Sequence, residues 1–222
     1  MKYLYAFALF MLSLVLTGSA QEPLRYYEHA KAGFKDPITG MIIVEPQYES
    51  ASQFQEGFAV VVLHNKRGYI NTKGHLVIPL QFDDAAQFNN GIAQVAVDGK
   101  YGYINYDGDW IVKAVYDFGG DLTEGFAKVA MNGKYGYINA KGKIAIPMKY
   151  DDCRPFSEGL AAVKEGKKWG FIDNTGRLII PLMYDDAYFF NNGIAKVSDG
   201  RKSFYITREN KWSKDASMHE AD

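Results

Sequence analysis

Three aspartate pairs recur at one position of a repeating pattern: Asp83-Asp84, Asp151-Asp152 and Asp185-Asp186. Elsewhere Asn105, Asp107 and Asp109 alternate, as oxygen ligands do at the start of a calcium loop. The loop does not continue: its sixth position is Trp110 where a glycine is needed, and its twelfth is Tyr116 where a bidentate glutamate is needed. The recurring pairs are therefore expected to close turns by accepting from nearby backbone N–H groups. His29, His64, His75 and His219 share no His-x-x-x-His spacing and have no cysteine partners, which leaves zinc unsupported. Cys153, the single cysteine, stands where corresponding positions carry Ala85, Gly119 and Ala187, and reads as a small buried residue. There is no Gly-x-Ser-x-Gly elbow and no phosphate-cradling glycine loop. No catalytic residue, metal or cofactor is expected.

The planar side chains remain. Alternation along a strand puts Tyr101 and Tyr103 on one face, with Gly102 and Ile104 on the other. Repetition then makes one row of Tyr101, Tyr135 and Trp169, and a second of Tyr69, Tyr103, Tyr137, Phe171 and Tyr205. Exposed, such a row suits sugar rings or an extended polypeptide; buried, it is core between repeats. The uniform second row is expected to be core. In the first, Arg67 shares the column, and a buried site rarely accepts arginine. Arg67, Tyr101, Tyr135 and Trp169 are therefore the candidate ligand-binding residues.

What positions them is a repeat. "GKYGYIN" occurs at residues 99–105 and again at 133–139, and sliding the chain by 34 residues aligns nearly all of it. Phe54, Phe88, Leu122, Phe156 and Phe190 fall in one column. Gly57, Gly91, Gly125, Gly159 and Gly193 fall in another, and Gly68, Gly102, Gly136 and Gly170 in a third, where the last copy has Phe204. Each unit reads as three short strands, such as "FAKVAM", "GYIN" and "KIAIP". Asp98-Gly99 and Asn132-Gly133 supply hairpin turns between the first two, and Pro79, Pro147 and Pro181 are expected to close the third. One meander cannot bury both its faces, so neighbours must stack. The expected fold is all-β: a tandem array of 34-residue meanders, preferably an open, solenoid-like stack, with a closed five-bladed, propeller-like ring as the alternative. Units begin near residues 54, 88, 122, 156 and 190, with half-units at both ends of a repeat domain spanning residues 40–206.

The flanks differ. Residues 1–20 combine Lys2, an apolar stretch and Gly18-Ser19-Ala20, the pattern of a secretory signal peptide cleaved after Ala20. Residues 21–39 form a lead-in, and residues 207–222 a polar tail. Loss of Lys2 takes the formal charge from −1 to −2, too weak a balance to predict nucleic-acid binding. With one cysteine no internal disulfide is available. After the signal peptide nothing is expected to insert in a membrane, and the oligomeric state stays open.

These columns resemble the bacterial WG (KWG) repeat, with units of the form F-x-x-G-x-A-x-V, G-K-x-G-Y-I-D, G-x-x-V-I-P and Y-D. The nearest match is "FSEGLAAVKEGKKWGFIDNTGRLIIPLMYDDA", residues 156–187. Only Trp169-Gly170 is a literal Trp-Gly; Arg67-Gly68, Tyr101-Gly102 and Tyr135-Gly136 replace it elsewhere. The resemblance implies an exported, non-catalytic binding or scaffold module. A secreted or periplasmic protein-interaction module of the cell envelope is the leading expectation. A peptidoglycan- or other glycan-binding module using the aromatic column is the second, and an enzyme acting on an envelope polymer the third.

Overall fold

In the computed structural model, which describes residues 21–213, every regular element is a β-strand. The expected signal peptide over residues 1–20 and the end of the tail lie outside the described residues. The first sheet joins β1 (Leu24–Glu28), β2 (Lys31–Lys35) and β3 (Ile42–Tyr48). The second joins β4 (Ser50–Ala51), β5 (Phe58–Leu63), β6 (Lys66–Asn71) and β7 (Leu76–Phe82). In the third are β8 (Asp84–Ala85), β9 (Ala93–Val97), β10 (Lys100–Ile104) and β11 (Trp110–Tyr116). The fourth holds β12 (Phe118–Thr123), β13 (Phe126–Met131), β14 (Lys134–Asn139) and β15 (Ile144–Tyr150). The fifth holds β16 (Asp152–Cys153), β17 (Leu160–Glu165), β18 (Lys168–Asp173) and β19 (Leu178–Tyr184). The sixth ends the series with β20 (Asp186–Asn191), β21 (Ile194–Ser198), β22 (Ser203–Thr207) and β23 (Trp212–Ser213).

Each sheet is an antiparallel meander, and three details differ from the expectation. The link after each aromatic-aspartate pair is itself a strand, giving four strands per complete sheet; a two-residue strand such as β8 is too short to show alternation in sequence. The lead-in builds β1 and β2, so the described residues form six sheets where four complete units and two half-units were expected. It escapes the 34-residue alignment because the turn after β2 is one residue longer than its counterparts and Lys35 replaces the isoleucine of Ile70. Trp212 and Ser213, expected in the polar tail, pair with β22.

The prolines do not end their strands. Pro79, Pro147 and Pro181 sit in the middle of β7, β15 and β19. These are the outer strands, so a missing N–H faces no ladder partner. Opposite each proline the pairing slips: Tyr137 pairs with Ile146 but Tyr135 with Tyr150, a bulge that folds over Gly136. A Cβ there would lie 2.5 Å from the Ile146 carbonyl oxygen. The glycine column thus admits the outer strand of its own sheet, not the neighbouring unit.

Alternation gives two buried faces to each sheet between the first and the last. In β5, Ala59 and Val61 pack back onto the first sheet, while Phe58 and Val60 pack forward onto the third. Among the described residues five core clusters join the six sheets in sequence, and no core cluster or strand pairing joins the first to the last. The series is open.

Polar corners reinforce the interfaces. The Glu56 carboxylate accepts from the Asn90 and Gly91 amides at 2.7 and 3.1 Å, and Glu124 from Glu158 and Gly159 at 2.6 and 2.8 Å. Burial alone would raise the Glu56 pKa; bonds from Gly91, the Tyr106 hydroxyl and Asn90 outweigh it and lower the value. Gly57 and Gly159 in these turns have φ of +82° and +76°, which explains their column.

The first aspartates of two pairs close hairpins by accepting from backbone amides, as expected, whereas Asp185 accepts from Lys168 at 2.8 Å. Lys66 and the Asp98 amide both donate to Asp83, at 2.5 and 2.7 Å; Lys134 and the Gly166 amide repeat the arrangement at Asp151, at 2.5 and 2.6 Å. Asp117 takes Lys100 and the Asn132 amide. The lysine bonds, then the amides, lower all three carboxyl pKa values. A lowered folded pKa contributes stability above the unfolded value and loses it as pH falls through the folded one. Thermal unfolding is therefore expected to be level from about pH 5 to 7 and to fall below about pH 4. Asp117→Asn should flatten that acid limb; an unchanged limb would place the acid sensitivity elsewhere.

Candidate interaction surface

The inward aromatic row is core in four of its five members; Tyr205, on the last sheet, is half-buried because among the described residues no further sheet covers it. Tyr69, Tyr103 and Tyr137 are fully buried, and their hydroxyls donate to the carbonyls of Ala86, Gly120 and Arg154 at 2.7, 2.7 and 2.5 Å. Tyr69 and Tyr137 meet the next sheet's phenylalanine, as Tyr137 meets Phe156 at 4.8 Å between centroids, while Tyr103 shares its core cluster with Leu122. Burial raises the pKa of all three tyrosines well above the ordinary value. Cys153 is likewise buried, with its thiol pushed up to about 12 chiefly by that burial.

The candidate ligand row lies along the sheet junctions nearest the first strands. Trp169 is only 4% exposed, under the Arg154 guanidinium at 5.0 Å. Tyr101 and Tyr135 are half-buried on either side of Phe118, at 6.3 and 6.1 Å, and the Lys128 ammonium covers Tyr135 at 4.6 Å. Arg67 is half-buried, donating to the Asp83 carbonyl and lying 3.3 Å from the Asp84 carboxylate. It borders a groove of about 400 Å³ with Ser50, Ser52 and Gln87. The structure thus brings the four residues to equivalent junctions, each with its own neighbours, rather than into one continuous platform. The second aspartates pair with these cations: Asp152 with Lys128 at 3.5 Å and Asp186 with Arg154 at 3.7 Å. Asn105 accepts from the Asp107 and Asp109 amides at 3.0 and 2.8 Å, closing its own hairpin.

A second repeated column was missed in the sequence. Ile42, Leu76, Trp110, Ile144, Leu178 and Trp212 open the outer strands of successive sheets and are 40–62% exposed. Simple alternation groups Leu76 with buried Ile78. The bulge separates them: Leu76 lies opposite Ile70, Ile78 opposite Tyr69, and so the two occupy opposite faces. The 34-residue spacing of large apolar side chains was available as a signal; their exposure was not. A further apolar hollow of about 270 Å³ lies on the last sheet, lined by Tyr188, Phe189, Ile194 and Tyr205.

Serial four-stranded meanders with shared cores define a β-repeat protein of blade-like sheets. The chain belongs to the family of the WG containing repeat, which matches residues 33–66, 68–101, 101–135, 135–169 and 169–202. No curated protein sequence matches it. Among solved structures, a eukaryotic initiation factor superposes with a TM-score of 0.54 at 11% identity, covering 86% of this chain and 62% of that one. Kluyveromyces lactis Hsv2p gives 0.50 at 10% identity, covering 89% and 76%. This chain therefore spans less than two thirds of the initiation factor, and at such identity the likeness is one of fold alone.

Proposed function

We propose that the chain is an exported, non-catalytic protein-interaction module of the bacterial cell envelope. The observation that carries this reading is the outer column of exposed apolar side chains, presented at one position of every described sheet. Side chains held out of the core at a fixed spacing cost solubility and give an interacting chain regular anchor points. The aromatic row, by contrast, is packed beneath cations, which weakens the glycan-binding alternative. Export rests on the leader-like sequence of residues 1–20.

The test compares the mature chain with a Trp110→Ser, Ile144→Ser, Leu178→Ser variant in quantitative retention of solubilised envelope proteins. These side chains are exposed, so stability should stay within roughly 1 kcal/mol of the parent. Saturable retention by the parent, reduced at least about tenfold in the variant, is the expected result. Equal retention by both would overturn the reading. Pelleting with insoluble peptidoglycan that is lost in Tyr101→Ala, Tyr135→Ala would replace it with the glycan one.

A further inference from the structure

Each meander ends on two edges, and on the outer one most strands carry a proline, Pro46 one position later than the others. Pro46, Pro79, Pro147 and Pro181 interrupt β3, β7, β15 and β19. Proline on an edge removes the donor that an incoming strand would use. β11, "WIVKAVY", lies at the edge of the third sheet and has Lys113 at the position of Pro79. Its register on β10 matches that of β7 on β6, Tyr103 to Val112 and Tyr69 to Ile78. Because proline is accepted there in three sister strands, the amide at this position is not needed by the sheet's own ladder. In β11 that amide is present, and Lys113 lies in the bulge between Val112 and Tyr116, where it has no register partner on β10.

Two further departures fall on the same strand. Val115, 46% exposed, stands where β7 and β15 carry Gln81 and Lys149, and shares its apolar character only with Met183 of β19. Trp110, which with Trp212 offers the widest rings of the outer column, packs edge-on against Phe82 at 5.9 Å and is still 40% exposed. Lys113 is itself exposed and makes no ion pair among the described residues. A second copy is a poor occupant: antiparallel pairing of two β11 strands centred on Lys113 sets lysine against lysine and Asp109 against Asp117.

We propose that β11 is a strand-addition site, where an extended segment of a partner protein pairs with the free edge and sets a carboxylate against Lys113. Backbone bonds supply the attachment, Trp110 and Val115 the apolar contact, and Lys113 selects the charge. This deepens the interaction-module reading and rests on it.

The probe is a nine-residue synthetic peptide of alternating threonine and valine with glutamate at its centre, titrated into the mature chain. Binding is read by calorimetry and by hydrogen exchange at the Lys113 amide. Lys113→Pro restores the residue type of the sister strands, so it keeps the fold while removing the donor; it should weaken binding at least about tenfold. Lys113→Glu keeps the donor and reverses the charge, so it should prefer the lysine-centred version of the peptide by about the same factor. Slowed exchange at Lys113 with both effects supports the site. If Lys113→Pro binds as the parent does, β11 is overturned as the site while an interaction module stands. If the parent binds neither peptide, strand addition is overturned, and retention of envelope proteins through the outer column remains a separate measurement.

Discussion

Gly136→Val is expected to destabilise the protein by about 3 kcal/mol, a large value for a single substitution. The cause is backbone, not side-chain, crowding: the new Cβ would lie 2.5 Å from the Ile146 carbonyl oxygen and 2.7 Å from the Met148 nitrogen. Neither atom can rotate away, so the bulge over β14 must open and the outer strand must lift. For a domain of this size the midpoint should fall by roughly 6–12 °C. Gly57→Ala provides the contrast. Nothing lies within 4 Å of its Cβ position, but its φ of +82° strains any L side chain, so a loss nearer 1 kcal/mol is expected. Thermal or denaturant unfolding of both variants checks the order. Equal effects would mean that conformation, not the bulge, sets the glycine column.

Tyr137→Ala should cost about 4 kcal/mol, and Tyr137→Phe only about 1 kcal/mol. The ring is fully buried between two sheets against Phe156, and its hydroxyl satisfies the Arg154 carbonyl at 2.5 Å. Truncation leaves a cavity in the fourth–fifth sheet core, whereas removal of the hydroxyl leaves one unsatisfied acceptor. Phe171 holds the same column without a hydroxyl and is equally buried, so the ring is the stronger requirement. A Phe variant as unstable as the Ala variant would reverse that ranking.

How far the sequence discloses this molecule depends on the range of each signal. The all-β class, the hairpin turns and the inward tyrosine row follow from period-2 alternation and the 34-residue step, both local and repeated. Asp98-Gly99, for instance, adopts φ of 51° and 70° as its composition requires. The four-residue candidate row is correctly read as a column, but its surroundings come from non-equivalent residues. Phe118, Lys128 and Arg154 occupy positions that are Asp84, Gln94 and Ala86 in the third sheet or its junction, and no period reports such exchanges. The outer column and the mid-strand prolines were hidden for one shared reason: a bulge changes which face a residue occupies without changing composition. The first sheet was hidden by a single inserted residue.

The polar corners carry a direction. In each, the carboxylate belongs to the earlier sheet and the amides to the later one: Glu22 to Gly57, Glu56 to Gly91, Glu124 to Gly159 and Glu158 to Gly193. The buried tyrosine hydroxyls point the same way, from Tyr69 to Ala86 and from Tyr137 to Arg154. A completed sheet therefore carries ready acceptors and donors for a backbone that has not yet arrived. Growth from the amino end is templated at every step, whereas growth from the carboxyl end would leave amides and carbonyls waiting on unfolded side chains. For a chain synthesised from its amino end, that asymmetry would favour sequential assembly, each blade casting the next.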